Sequence, residues 1–369
     1  MNQVHIVNGQ IFTGEHWLNS VTLTTQNGVI QQFSTEQPGS QHPVTTIDLD
    51  GGKLVPAFID IQLYGGDGKL FGELPSVEAL QATVTSARRG GAAMILPTVA
   101  TNDNAVALAA IKAVRDYWAG GGAGVVGLHL EGPFLNREKR GAHDLQFLQQ
   151  PSVEAIGALL DGNIDVVKIM TIAPECFGGE VLDFLKSKGI LLSAGHSNIT
   201  YEAAMAHFNA GIPLVTHLYN AMSGLQHRAP GLVGAAMDHG SVMASIVADG
   251  YHVDAAAIRI AKKIMGQRLF LITDAVTENK TGSYRHELVG DRYCLPDGTL
   301  SGSALSMHKA VQFCIQQVGI NEDEALRMAA LYPARALGMD HLWGKIADGY
   351  QSTCCVLDAG GGCRLVTLP

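Results

Sequence analysis

Eight apolar runs, separated by longer amphipathic or alanine-rich stretches, fill the middle of this chain and limit what it can fold into. They are KLVPAFID near residues 53 to 60, AAMILPT near 92 to 98, VVGLHLE near 125 to 131 and VVKIMTIAP near 166 to 174. GILLSAGH near 189 to 196, IPLVTH near 212 to 217, VMASIVADG near 242 to 250 and RLFLITD near 268 to 274 complete the set. Short, nearly continuous apolar runs mark strands buried on both faces, as in a parallel sheet. The segments between them, such as SVEALQATVTSARRGG, DNAVALAAIKAVRDYWAG and TYEAAMAHFNAG, open near N-cap residues or close on glycine and read as helices. Eight such units close a TIM barrel. An open doubly wound sheet is the alternative, but no GxGxxG opens a helix after the first strand. The expected fold class is therefore α/β, a (β/α)8 barrel.

Either side of the barrel the pattern changes. Residues 1 to 52 read as short strands and turns, with a turn at Asn27-Gly28, and residues 345 to 369 read the same way. We expect the two ends to meet as one small β-sandwich, with a barrel domain over residues 53 to 344. Residues 284 to 302, which contain a Pro-Asp-Gly turn, read as an inserted hairpin, and residues 303 to 338 read as helical. With 369 residues, 47% hydrophobic and 16% charged, the chain can bury one large core and a smaller module. A net charge of -9 argues against a nucleic-acid or anionic-membrane surface, yet leaves room for a local Arg and His cluster that holds a phosphate. No run reaches the roughly 18 apolar residues of a membrane span, and the start lacks the basic and apolar regions of a signal peptide. A cytoplasmic location is expected, with the six scattered cysteines reduced.

The run ends carry the chemistry. Glu131, His196, His217, His252 and Asp274 each close or follow a buried run, where a barrel presents its active site. Glu131, ahead of Gly-Pro, suits a metal ligand or a helix-capping carboxylate. With His196 and His217 it makes a His2Glu set, the donor types of a mononuclear site with one open position. Asp274 is either a general base and acid or a buried acid satisfied by backbone N–H groups. His252 can polarise a scissile carbonyl, bind metal or serve structure. Asp60 is followed by Gln62 rather than by a histidine, so one metal is expected rather than two, with Gln62 at a vestigial second position. Arg228, with His143 and the backbone at Asn220 and Ala221, can clamp a phosphate; a solvated loop arginine is the other reading.

In order, FIDIQLYGGDG, HLEGPFLN, KRGAHD, TIAPE, AGHSN, THLYNAM, RAPGLVGAA, ADGYHV, ITDA, DGTLSGSALSM and YPARALG resemble the N-acetylglucosamine-6-phosphate deacetylases of the amidohydrolase superfamily. The resemblance runs from about residue 50 to the C-terminus. It implies a TIM barrel with a small β-sandwich, a cytoplasmic homodimer and hydrolysis of N-acetylglucosamine 6-phosphate to glucosamine 6-phosphate and acetate. By motif match it implies one divalent ion per subunit on Glu131, His196 and His217, zinc first, with iron, cobalt or manganese also accepted. Asp274 is then the acid and base, and His252 touches the substrate carbonyl. Substrate contacts fall on Ala142, His143, Asn220, Ala221, Arg228, His252, Leu305, Ser306 and Met307, with His227 and Arg228 suspected of reaching a neighbouring subunit's phosphate. The chain departs from the pattern at Ala57, where the family has Gly. It departs again at Tyr64, Ala304 and Ser306, where Asn, Ser and Thr are expected. Three rival readings are the same chemistry on N-acetylgalactosamine 6-phosphate, another metal hydrolase, and a sugar-phosphate-binding scaffold without turnover.

Overall fold

The computed structural model describes residues 2–36 and 44–369. The eight expected runs form one eight-stranded sheet in which every strand neighbours the one before it in sequence. Its strands are Phe58–Leu63, Ala92–Ala100, Leu128–Glu131, Val167–Ile172, Leu191–Ala194, Leu214–Val215, Met243–Val247 and Leu269–Ile272. The registers running from the second strand to the eighth are all parallel. Closure comes just beyond the eighth strand, where Ala275 bridges Leu63 in parallel and the Asp274 N–H donates to the Gln62 carbonyl at 2.9 Å. Asp60 reinforces that seam from inside the first strand, accepting from the Thr273 hydroxyl at 2.5 Å and the Thr273 N–H at 3.2 Å. The sheet is thus the barrel expected from the sequence.

The run over residues 53 to 60 is two strands, not one. Lys53–Pro56 pairs antiparallel with Thr353–Leu357 and parallel with Gln10–Phe12, and the barrel strand starts only at Phe58. Proline has no N–H to give a continuing ladder, so the run breaks there. Asp60, expected at the end of the first barrel strand, consequently lies inside it. Several other strands are shorter than their runs, because the last residues of those runs leave the ladder to form the site.

Both ends of the chain build sheets. A four-stranded sheet holds Val29–Ser34, Val21–Gln26, Asn2–Val7 and Val44–Asp48 in that order. A five-stranded sheet holds Cys363–Thr367, Thr353–Leu357, Lys53–Pro56, Gln10–Phe12 and Trp17–Leu18. Alternate residues of both, including Val4, Ile6, Leu23, Leu54 and Val356, share one buried core. The chain divides into two compact units, Met1–Ile59 with Ala87–Ala93 and Ser306–Pro369, and Asp60–Ser86 with Met94–Leu305.

The crossover helices start where short polar side chains can take up free N–H groups. Asp103 accepts from Ala105 N ahead of Asn104–Ala119, Thr200 from Ala203 N ahead of Tyr201–Asn209, and Asp254 from Ala256 N ahead of Ala255–Met265. The expected hairpin is a three-stranded antiparallel sheet of Glu287–Val289, Arg292–Cys294 and Leu300–Ser303. The six cysteines are free, and among the described residues no helix is long and apolar enough to cross a membrane.

Candidate active site

Strand ends set the geometry. Glu131 is the last residue of its strand, whereas His196, His217 and Asp274 are each the second residue past theirs. All three of the latter adopt left-handed backbone, with φ of 48°, 36° and 55°. Side chains other than glycine resist that region, and such strain clusters where surrounding structure enforces it for a purpose. Each reversal turns the side chain away from the strand's alternation. Hydrogen bonds hold the bends: Ser245 Oγ takes the His217 N–H at 2.8 Å, and the Asp274 carbonyl accepts from Ser303 N at 2.9 Å. After Glu131 the chain escapes through Gly132 at φ 93°, where a Cβ would stand 2.1 Å from Thr101 Oγ1.

These bends bring three groups to one point. Glu131 Oε1 lies 3.0 Å from His217 Nε2 and 3.3 Å from His196 Nε2, and the two Nε2 atoms are 3.0 Å apart. His196 Nδ1 faces the Lys139 carbonyl at 2.9 Å, so it carries the ring proton and Nε2 presents a lone pair. Burial lowers the His196 pKa to about 4, which keeps the imidazole neutral. An imidazole lone pair, a second imidazole nitrogen and a carboxylate oxygen, all buried and converging, are the donor set of a cation site. His196 makes the outer hydrogen bond of a metal-bound histidine, whereas His217 Nδ1 is buried without a partner among the described residues.

His143 has the opposite tautomer. Its Nδ1 accepts from Thr101 N at 3.2 Å, so its proton sits on Nε2, which donates to Glu131 Oε2 at 3.1 Å. Glu131, His143 and His196 could by distance hold a metal among themselves. His217 Nε2 offers a further nitrogen on the Oε1 side of Glu131, at 3.0 Å. Despite burial, the His143 and His196 imidazoles hold the Glu131 carboxyl well below the usual range.

Asp274 stands beside this centre, linked to Glu131 through Gln62 Nε2, which lies 2.9 Å from Asp274 Oδ1 and 3.0 Å from Glu131 Oε1. Burial raises its pKa, and the Glu131 charge adds to the effect. His252 has both ring nitrogens engaged, Nδ1 on Asp249 Oδ2 at 2.6 Å and Nε2 on the Ser301 carbonyl at 2.8 Å. Both partners are acceptors, so the ring is a double donor; burial opposes that charge, but Asp249 outweighs it and the pKa is raised. Asn220 Nδ2 is buried with no partner among the described residues.

One cavity unites Glu131, Ala142, His143, His196, His217, Asn220, Ala221, His252 and Asp274. Other expected residues lie elsewhere. His227 and Arg228 are exposed, and Arg228 lines a separate cavity with Lys139 and Tyr201. Leu305, Ser306 and Met307 do not line the first cavity; Ser306 caps the helix Met307–Phe313, and Met307 is buried. Of the remaining lining, sequence reasoning named Tyr64, as a departure from the family pattern, and missed Leu70, Val276, Tyr284, His286 and Leu300. The hairpin was legible, but nothing in its composition tells where it folds back.

A closed barrel whose strand ends converge a carboxylate and imidazoles beside a second acid is the architecture of a metal-dependent hydrolase. The comparisons make this specific. Residues 54–360 match the model of the Amidohydrolase family, and the chain belongs to that family. It is thus a hydrolase of amide-type bonds, with a Glu/His/His cluster suited to the metal such enzymes use. The chain is 35% identical over 334 residues to the N-acetylglucosamine-6-phosphate deacetylase of Haemophilus influenzae, covering 88% of this chain and 87% of that one. It is 31% identical over 362 residues to the N-acetylgalactosamine-6-phosphate deacetylase of Escherichia coli O157:H7, covering 95% and 94%. The crystal structure of N-acetylglucosamine-6-phosphate deacetylase from Pasteurella multocida superposes with a TM-score of 0.90 at 33% identity, over 98% of this chain and 97% of that one. The resemblance read from the ordered motifs is thus borne out.

Proposed function

We propose that the protein removes the acetyl group of N-acetylglucosamine 6-phosphate, giving glucosamine 6-phosphate and acetate, as a cytoplasmic enzyme of amino sugar catabolism. The observation that carries the reading is the meeting of Glu131 Oε1, His196 Nε2 and His217 Nε2 within 3.0 to 3.3 Å of one another, beside Asp274. These three residues hold the ion, zinc first by donor type, with iron, cobalt and manganese accepted by the same set. When bound, the ion supplies Lewis-acid polarisation and brings the pKa of a water towards about 7.

The chain's own groups do the rest. Asp274 takes the proton of the attacking water and returns it to the departing nitrogen, and its raised pKa suits both steps. His252, a cationic double donor, turns from the Ser301 carbonyl to the substrate's oxygen as charge develops there. The unpaired Asn220 amide is a donor ready for sugar and phosphate oxygens, and His143, its Nε2–H on Glu131, lines the same cavity. The fixed charge of Arg228 suits the phosphate. Because Arg228 is exposed and outside the cavity that holds Glu131, a homodimer in which His227 and Arg228 of one copy reach the other copy's cavity accounts for it.

The test is acetate release by metal-replete protein offered N-acetylglucosamine 6-phosphate, N-acetylgalactosamine 6-phosphate and unphosphorylated N-acetylglucosamine in parallel. Preference for the first supports the reading. Preference for the second moves the enzyme to the galactosamine branch, which the E. coli O157:H7 relative represents. No release from any of the three overturns it.

A further inference from the structure

We propose that Tyr64 is a positioning residue that decides which oxygen of Glu131 is offered to the metal, an inference that rests on the metal-site reading above. Tyr64 follows the first barrel strand, and its N–H donates to the Ala275 carbonyl at 2.8 Å, so it is pinned to the seam where the barrel closes. Its ring is buried and packs with Leu70, Val276 and Tyr284. A phenol held this way has little freedom beyond the rotation of its own O–H.

That hydroxyl donates to Glu131 Oε2 and accepts from Gln62 Nε2 at 2.9 Å. Oε2 also receives His143 Nε2–H at 3.1 Å. Two protein donors, a phenol and an imidazole, therefore occupy Oε2, while Oε1 faces His196 Nε2 and His217 Nε2 and takes one amide hydrogen bond, from Gln62 Nε2 at 3.0 Å. A carboxylate left to itself can turn about its terminal torsion and offer either oxygen, or both, to a cation. Here the phenol and His143 hold it to one. The same hydroxyl and the Gln62 amide fill the ground between Glu131 and Asp274, placing neutral donors where two buried carboxylates would otherwise face each other. Partners of this kind change metal affinity by about 10- to 100-fold when removed.

Tyr64→Phe deletes one oxygen and keeps the ring that packs the wall. The experiment compares wild type, Y64F and Glu131→Gln, each stripped of metal and titrated with zinc against a chromophoric chelator, with thermal unfolding of the metal-free proteins as the check on folding. We expect Y64F to keep its metal-free melting temperature and to bind zinc roughly 10-fold or more weakly. We also expect the cobalt-loaded Y64F protein to absorb more weakly in the visible as a second carboxylate oxygen raises the coordination number; a role in packing alone leaves that spectrum unchanged. Zinc affinity within twofold of wild type in Y64F, with binding lost in Glu131→Gln, overturns the role of Tyr64 and leaves the metal site standing. Wild-type affinity in Glu131→Gln overturns the metal site itself, and this inference with it. Should Y64F unfold, the cobalt spectrum of Tyr64→Leu, which keeps an apolar body and brings no donor, decides by the same criterion.

Discussion

The residues that converge at the barrel's strand ends were the most legible, because a histidine or an acid that ends an apolar run has few reasons to be there. Their conformation was not legible. His196, His217 and Asp274 sit in left-handed backbone that glycine would adopt freely, and no residue type announces that. Nor does sequence reveal that His143 and His196 carry their protons on opposite nitrogens, since tautomers follow from partners such as Thr101 N and the Lys139 carbonyl. Asp274→Asn retains a side chain of the same size but cannot accept a proton. We expect it to keep its metal and lose about 10²- to 10⁴-fold in turnover, read by acetate release alongside metal analysis. Gly132→Ala puts a methyl group against Thr101 Oγ1 at a positive φ, and should cost about 2 kcal/mol or more in urea unfolding.

Among the elements, the barrel strands and crossover helices were read with little error, because buried runs and capping residues are local signals. The first strand failed because the break at Pro56 is hidden inside one continuous apolar run. The hairpin was seen, but its place was not. It carries Tyr284, His286, Leu300 and Ser301 to the cavity, and a contact over such sequence distance leaves no mark in composition. Burial lowers the His286 pKa to about 4, so the folded protein keeps that ring neutral after the unfolded chain has taken a proton at its ordinary value near 6.5. The corresponding stability is present above about pH 6.5 and is lost as pH falls towards 4. In His286→Gln the drop in melting temperature between pH 7 and 4.5 should be smaller than in wild type; an equal drop refutes the assignment.

At the scale of the whole molecule, the count of eight runs sufficed to give the barrel, and the alternating ends sufficed to give extra sheets. The position of Arg228 outside the main cavity was beyond reach, because the path of a long loop depends on everything it packs against. Metal binding to the folded state alone should raise global stability. Free zinc at about one hundred times its Kd adds about 2.7 kcal/mol, visible as a higher melting temperature that chelator reverses and Glu131→Gln abolishes. The five-stranded sheet has a consequence for how the chain is made. Lys53–Pro56 leads directly into the first barrel strand, yet one of its edges is covered only by Thr353–Leu357. On the ribosome that edge stays open through nearly the whole of synthesis, offering unpaired backbone groups to any other nascent chain. A message truncated before codon 353 should therefore yield a product that aggregates, even though every residue of the catalytic cluster has been translated.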